Sequence, residues 1–228
     1  RQEFHSAVAK LLYLAKRVRP EILTAVSYLA SRVTCATEDD MSKLQRIFAY
    51  LNNEPNLGLI LEAGGDIQLH AYIDASFGVH HDGKSHTGGV ISMGGGATYV
   101  KSAKQRLVSK SSTEAELIAL SDTLSNVIWH RDFLLHQGYV MKAANVYQDN
   151  TSTIALAEKG RSTSERTRHV NVRYFFVKDR IENGEIVITY LPTSEMVADI
   201  LTKPLQGELF RNLRNKLLNC EALHILDD

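Results

Sequence analysis

The sequence predicts an α/β fold: a mixed five-stranded sheet flanked by helices and preceded by a helical segment. Three observations point there. Apolar positions recur with the helical period through the first sixty residues, the period falls to two from about residue 66, and helical and strand-like stretches alternate after residue 113.

Val8, Leu11, Leu12 and Ala15 form the first helical stripe. Ile22, Val26 and Leu29 form the second, in a stretch from Glu21 to Arg32 that follows Pro20, a residue suited to a first turn. Thr37 is the expected N-cap of a third helix, Glu38, Asp39 and Asp40 complement its dipole, and Leu44, Ile47, Phe48 and Leu51 form its buried stripe, ending before Pro55. Ile67, Leu69, Ala71 and Ile73 then alternate in a strand that stops at Asp74. Gly88 to Met93 and Ala97 to Lys101 pair around Gly94, Gly95 and Gly96, so three antiparallel strands are expected.

Thr113 or a preceding serine caps a long helix through Glu116, Leu117, Leu120, Leu124, Val127, Ile128 and Phe133, ending near Gly138. A short strand from Asn145 leads to Asp149, and a short helix spans Thr151 to Glu158. A further helix from about His169 to Glu182 is stopped by Asn183 and Gly184. The strand Ile186 to Leu191, a helix from Ser194 to Leu201 and an amphipathic tail helix after Pro204 complete the chain. The expected division is a helical segment over 1–62, an α/β domain over 63–205 and a helical tail over 206–228.

Composition narrows the class. Net charge is +0, hydrophobic residues make up 44% and charged residues 23%, and no apolar run approaches the roughly 18 residues that cross a bilayer, so no membrane partner is expected. No stretch resembles a signal peptide. Cys35 and Cys220 fit no metal-ligand spacing, which points to reduced thiols and an intracellular setting. Zero net charge is not the footprint of a strong nucleic-acid binder, yet two basic segments stand out. One carries Lys101, Lys104, Arg106 and Lys110; the other carries Arg161, Arg166, Arg168, His169 and Arg173. His169 suits either a phosphate contact or a helix cap.

Asp74, Glu116, Asp149 and Asp199 each stand beside apolar residues that read as core. A carboxylate there is costly unless it is paired or bound to a metal. Phosphodiester hydrolysis needs a positioned water, neutralised charge at phosphorus and a stabilised leaving oxyanion. Two Mg2+ ions about 3.5–4 Å apart supply all three, held by a few carboxylates. His80, His81 and His86, with Asp82 among them, match no zinc spacing and read as exposed loop histidines. Trp129 reads as core.

YIDAS, SSTEAEL, VYQDN and TSEMVADILTKPL, in that order, resemble the ribonuclease H domain of copia-type long-terminal-repeat retrotransposon polyproteins, and RTRHVNVRYFFVKD resembles the segment before that domain's last strand. Upstream, SAVAKLLYLAKRVRPEILTAVSYLASR and LQRIFAYLNNEPNLGLIL resemble the end of the reverse transcriptase and its connection to ribonuclease H. The resemblance implies a ribonuclease H-like sheet with Asp74, Glu116, Asp149 and Asp199 as a metal-binding catalytic tetrad. Asp74 would bridge two Mg2+ ions, Asp199 would help hold the ion that activates water, and Glu116 and Asp149 would hold the ion facing the leaving 3′ oxygen. Mn2+ would substitute.

The implied substrate is an RNA–DNA hybrid, cut in its RNA strand. The implied partner is the remaining polymerase domain of the parent polyprotein, and the implied locations are the cytoplasmic retroelement particle and the nucleus. Lys101, Lys104, Arg106, Lys110, Arg166, Arg168 and His169 would then contact the nucleic acid. Glu116 is preferred to Glu114 because it directly precedes the apolar Leu117. The histidine that many ribonucleases H carry before the last acidic helix is absent: Leu191, Pro192, Thr193, Ser194 and Glu195 stand there. Two other classes fit an acidic set, a noncatalytic hybrid-binding module and an integrase-like DNA nuclease, but the latter would carry its last acid on a helix after the strand bearing the second aspartate, whereas here Glu116 lies between the two strand aspartates.

Overall fold

The computed structural model describes residues 2–62, 67–159 and 168–220, with backbone alone at 168–171. Helices α1 (Gln2–Arg17), α2 (Leu23–Ser31) and α3 (Glu38–Asn53) come first, and a short 3-10 helix at Pro20–Ile22 leads into α2. As expected, Thr37 caps α3: its hydroxyl accepts the Asp40 N–H while Asp40 accepts the Thr37 N–H. Strands β1 (His70–Ser76), β2 (His86–Ser92) and β3 (Tyr99–Lys104) follow, then α4 (Ser112–His136), β4 (Ala144–Gln148), α5 (Thr151–Lys159), α6 (Arg168–Glu182), β5 (Ile186–Tyr190) and α7 (Gly207–Leu218).

The five strands lie in the order β3-β2-β1-β4-β5. β2 is antiparallel to β1 and β3, whereas β4 runs parallel to both β1 and β5. Each sheet face carries its own core. Leu69, Ala71, Ile73 and Val146 pack with Leu117, Leu120, Leu124, Ala157, Tyr174 and Val177 of α4, α5 and α6. On the other face Val90 and Ala97 meet Phe4, Val8, Leu11, Leu23, Val26 and Leu29 of the first helices, together with Val197, Ile200, Leu201, Leu213 and Leu217. The N-terminal helices and α7 therefore share one core on one face of the sheet.

Polar ties reinforce this second core. Arg19 Nε lies 2.6 Å from Glu21 Oε1, and Arg19 Nη1 donates to the Glu54 carbonyl at 3.0 Å. Arg214 of α7 reaches Glu54 Oε1 at 3.3 Å. The connector after α3 is stitched to the last helix, Ile60 N–H donating to the Leu218 carbonyl at 2.9 Å.

β2 supplies a thin place in the sheet. A Cβ on Gly88 would come within 2.6 Å of Thr202 Cγ2 and 2.7 Å of the Ala198 carbonyl, and one on Gly89 within 2.8 Å of Thr123 Cγ2 on α4. Bare backbone lets the segment carrying Asp199 and the helix carrying Glu116 both press onto the sheet.

Four expectations are corrected. β1 continues past Asp74 to Ser76, because Ala75 and Ser76 find ladder partners in Thr87 and His86. The expected helix from Ser194 to Leu201 is two 3-10 turns, Thr193–Glu195 and Val197–Leu201, separated by extended backbone at Met196. Phe48 of α3 faces solvent. Trp129 is 61% exposed and stacks on exposed Phe133 at 5.5 Å, on the outward face of α4, whose Val127 and Leu134 stay in the core.

Candidate metal centre

Strand alternation sends Ile73 into the α4 face and its neighbours Tyr72 and Asp74 to the other. Parallel register pairs Tyr72 with Tyr147, so two residues further on Asp149, just past the end of β4, comes level with Asp74. Glu116 enters from the start of α4, whose first turn is capped by the Ser111 hydroxyl accepting the Glu114 N–H. Glu114 instead turns its carboxylate to the Lys110 N–H at 2.8 Å. One carboxylate oxygen from each of Asp74, Glu116 and Asp149 lies within 4.8 Å of the others.

Asp199 stands next to this trio but outside it. Lys203 Nζ lies 2.8 Å from Asp199 Oδ1 and 3.6 Å from Asp74 Oδ2, linking the two acids. The Thr202 hydroxyl donates to Asp74 Oδ2. Fully buried Gln148 couples the remaining pair: its amide nitrogen donates to Glu116 Oε2 at 3.3 Å and its amide oxygen accepts the Asp149 N–H at 3.0 Å. Where a histidine is absent, the Thr193 hydroxyl donates to Asp149 Oδ2 at 2.8 Å.

Asp74, Glu116 and Asp199 are buried, and Asp149 is half-buried. Burial first, then the charges of Asp74 and Asp149, push the Glu116 carboxyl up to about 9, against the Ala75 N–H and the Gln148 amide. Burial and Asp74 push Asp199 up to about 6, with Lys203 opposing. Both lie above their ordinary values of 4.5 and 3.8, so the folded chain holds these protons more tightly than the unfolded chain does. The resulting stability is full below about pH 4 and is lost as pH rises through about 6 and then about 9. Buried His86, pushed down to about 4, opposes this below its ordinary value of 6.5, so the metal-free protein should melt at progressively lower temperature between about pH 6.5 and 9, with Mg2+ reversing the loss at the alkaline end. A flat melting profile across that window would contradict the cluster's electrostatics.

The donor set fits a hard divalent cation. It consists of carboxylate oxygens beside a buried amide and hydroxyls, and among the described residues no thiol or imidazole joins the acidic trio. Burial and mutual repulsion raise the pKa of Glu116 and Asp199, so the crowded carboxyls form a centre that favours added positive charge.

The expected basic residues divide. Arg106 and Lys110 are exposed on the segment leading into α4, at the end where Glu116 lies. Lys104 Nζ is 2.7 Å from Asp82 Oδ2, and Lys101 is half-buried, with burial lowering its pKa. Arg166 lies outside the described residues, as do the side chains of Arg168 and His169. The histidine expectation is corrected in part: His86 is buried on β2, with Nδ1 3.0 Å from His80 Nε2 and Nε2 2.8 Å from Ser102 Oγ. Lys203, Thr202, Thr193 and Gln148 were not singled out from sequence. Only Lys203 carried a readable signal, an acid-to-lysine spacing of four at Asp199.

No protein-family model matches the chain. It is 33% identical over 94% of its length to the retrovirus-related Pol polyprotein from transposon RE1 of Arabidopsis thaliana, covering 15% of that protein. It is 32% identical over 96% of its length to the corresponding polyprotein from transposon TNT 1-94 of Nicotiana tabacum, covering 16%. The chain thus spans only about a sixth of the curated relatives it matches. Among solved structures, a foamy viral protease-reverse transcriptase in complex with RNA/DNA hybrid aligns over 90% of this chain and 26% of its own, with a TM-score of 0.52 at 14% identity. A ribonuclease H1 from compost aligns over 68% of this chain and 98% of its own, with a TM-score of 0.44 at 17% identity. The chain is related along nearly its whole length to one segment of the retrovirus-related Pol polyproteins of transposons, and its five-stranded sheet with flanking helices is a ribonuclease H-like fold.

Proposed function

We propose that the chain is a retroelement ribonuclease H, cutting the RNA strand of an RNA–DNA hybrid with divalent cations, Mg2+ first and Mn2+ in its place. The observation that carries this reading is the convergence of Asp74, Glu116 and Asp149 from three elements, with Asp199 beside them. When bound, the cations would make the attacking water more acidic and neutralise charge on the phosphate. Asp74, central to the set, would be shared between cations; Glu116 and Asp149 would serve one side and Asp199 the other. Gln148, Thr193 and Thr202 would hold those carboxylates in place by their hydrogen bonds. A 2′-hydroxyl on the scissile strand would distinguish RNA from DNA.

In the same reading, residues 1–62 are the end of a reverse transcriptase and its connection, 63–205 the ribonuclease H domain and 206–228 a tail that begins with α7, its residues 221–228 lying outside the described residues. The remaining polymerase would be the natural partner. Support comes from the Pol polyproteins that the chain matches, and from the hybrid bound in the foamy viral structure.

The direct test is incubation with a strand-labelled hybrid. Mg2+-dependent cuts confined to RNA are expected; cleavage of duplex DNA alone would favour an integrase-like nuclease, and binding without turnover a noncatalytic module. Exposed Arg106 and Lys110 should contribute most of the basic grip. Their double alanine variant should weaken hybrid binding and reduce the slope of log affinity against log salt by roughly 1.5, whereas changing the encumbered Lys101 and Lys104 should do less. An unchanged salt slope would remove both residues from the nucleic-acid contact.

A further inference from the structure

We propose that Lys203 is a built-in cation of the acidic centre. In the metal-free protein its ammonium holds Asp199 against Asp74, so a divalent cation enters between those two only by displacing it. The face formed by Asp74, Glu116 and Asp149 takes a cation with Lys203 in place. This inference rests on the metal-dependent reading of the centre.

Two distances set the arrangement. Lys203 Nζ lies 2.8 Å from Asp199 Oδ1 and 3.6 Å from Asp74 Oδ2, so one positive charge serves two carboxylates that are each 2% exposed. Among the described residues no other cation is paired with either acid. The trio that comes within 4.8 Å excludes Asp199, the acid this lysine engages most closely. The four acids are thus already sorted into a half open to a cation and a half closed by an ammonium.

The placement is firm at the backbone and free at the tip. Lys203 N–H donates to the Asp199 carbonyl at 2.9 Å, and Pro204 follows, so the turn fixes where the side chain starts. The side chain itself is 35% exposed and carries its charge on a flexible stem, which leaves it a way out to solvent. An arginine fork would be harder to displace. Cation binding at the two halves is therefore unequal and ordered, and the second event carries the added cost of separating an ion pair.

Titration of the full chain with Mn2+, counting free ion by electron paramagnetic resonance, tests this without reference to cleavage. Wild type should bind one Mn2+ tightly and a second weakly. In Lys203→Gln and Lys203→Met the second site should tighten by roughly tenfold or more, while the first changes little. The metal-free variants should also melt lower, and adding Asp199→Asn should recover part of that loss, since the acid left unpaired is then neutral. Matching Mn2+ affinities in wild type and both variants would overturn the role of Lys203 and leave the metal centre standing. No Mn2+ binding by any folded form would overturn both.

Discussion

Asp149→Asn should abolish hybrid cleavage, by about a thousandfold or more, while leaving the metal-free protein as stable as before or a few degrees more stable. The two expectations share a cause. Asp149 belongs to the converging trio, and its charge raises the pKa of both Glu116 and Asp199. Removing that charge would take an oxygen ligand from the cation and relieve repulsion among the carboxylates when no metal is added. The amide oxygen can still accept the Thr193 hydroxyl, so local geometry survives. Rates with labelled hybrid and melting curves with and without Mg2+ check both halves. Preserved Mg2+-dependent turnover would remove Asp149 from the site.

Deleting residues 1–62 should leave a chain that does not fold cooperatively, even though every proposed catalytic acid remains. Phe4, Val8, Leu11, Leu23, Val26 and Leu29 are buried against β2, α7 and the 3-10 helix bearing Asp199. Each large side chain exposed costs about 1.5–3 kcal/mol, and a whole domain is stable by only about 5–15 kcal/mol. The point version is milder: Leu29→Ala should cost about 2–5 kcal/mol. There is also a direct line to the centre, because the Thr24 hydroxyl donates to the Ile200 carbonyl at 2.7 Å, one residue from Asp199. Circular dichroism melts of the truncated chain decide the matter. A sharp transition near that of the full chain would show that the sheet domain folds without the helical segment.

Most of the architecture was legible because it rests on local pattern. Alternation found the strands, the Thr37 cap located α3, and the motifs around Asp74, Glu116, Asp149 and Asp199 marked the acids. What escaped depends on partners distant in sequence. β1 outruns Asp74 because β2 offers ladder partners to Ala75 and Ser76, and nothing in HAYIDAS announces them. MVADIL reads as a regular helix, yet Val197–Leu201 forms a 3-10 helix after extended backbone at Met196. Trp129 and Phe133 lie on the α4 face turned away from buried Val127 and Leu134, and which face of so apolar a helix meets the sheet is a tertiary fact. Likewise Lys203 is an ordinary surface lysine until folding carries Asp74 to within 3.6 Å of it.

The glycines of β2 give the centre an unusual kind of fragility. Gly88 faces the Asp199 segment and Gly89 faces α4, so at that point the layers are separated by main chain alone. Spacing between ligands is consequently governed by the thickness of a polypeptide backbone, a dimension that side-chain rotamers cannot adjust. One methyl group at residue 88 bears no charge, touches no cation and alters no donor, yet it would move Asp199 away from Asp74. The centre can be disarmed by carbon added where the sequence has none, as surely as by oxygen taken away.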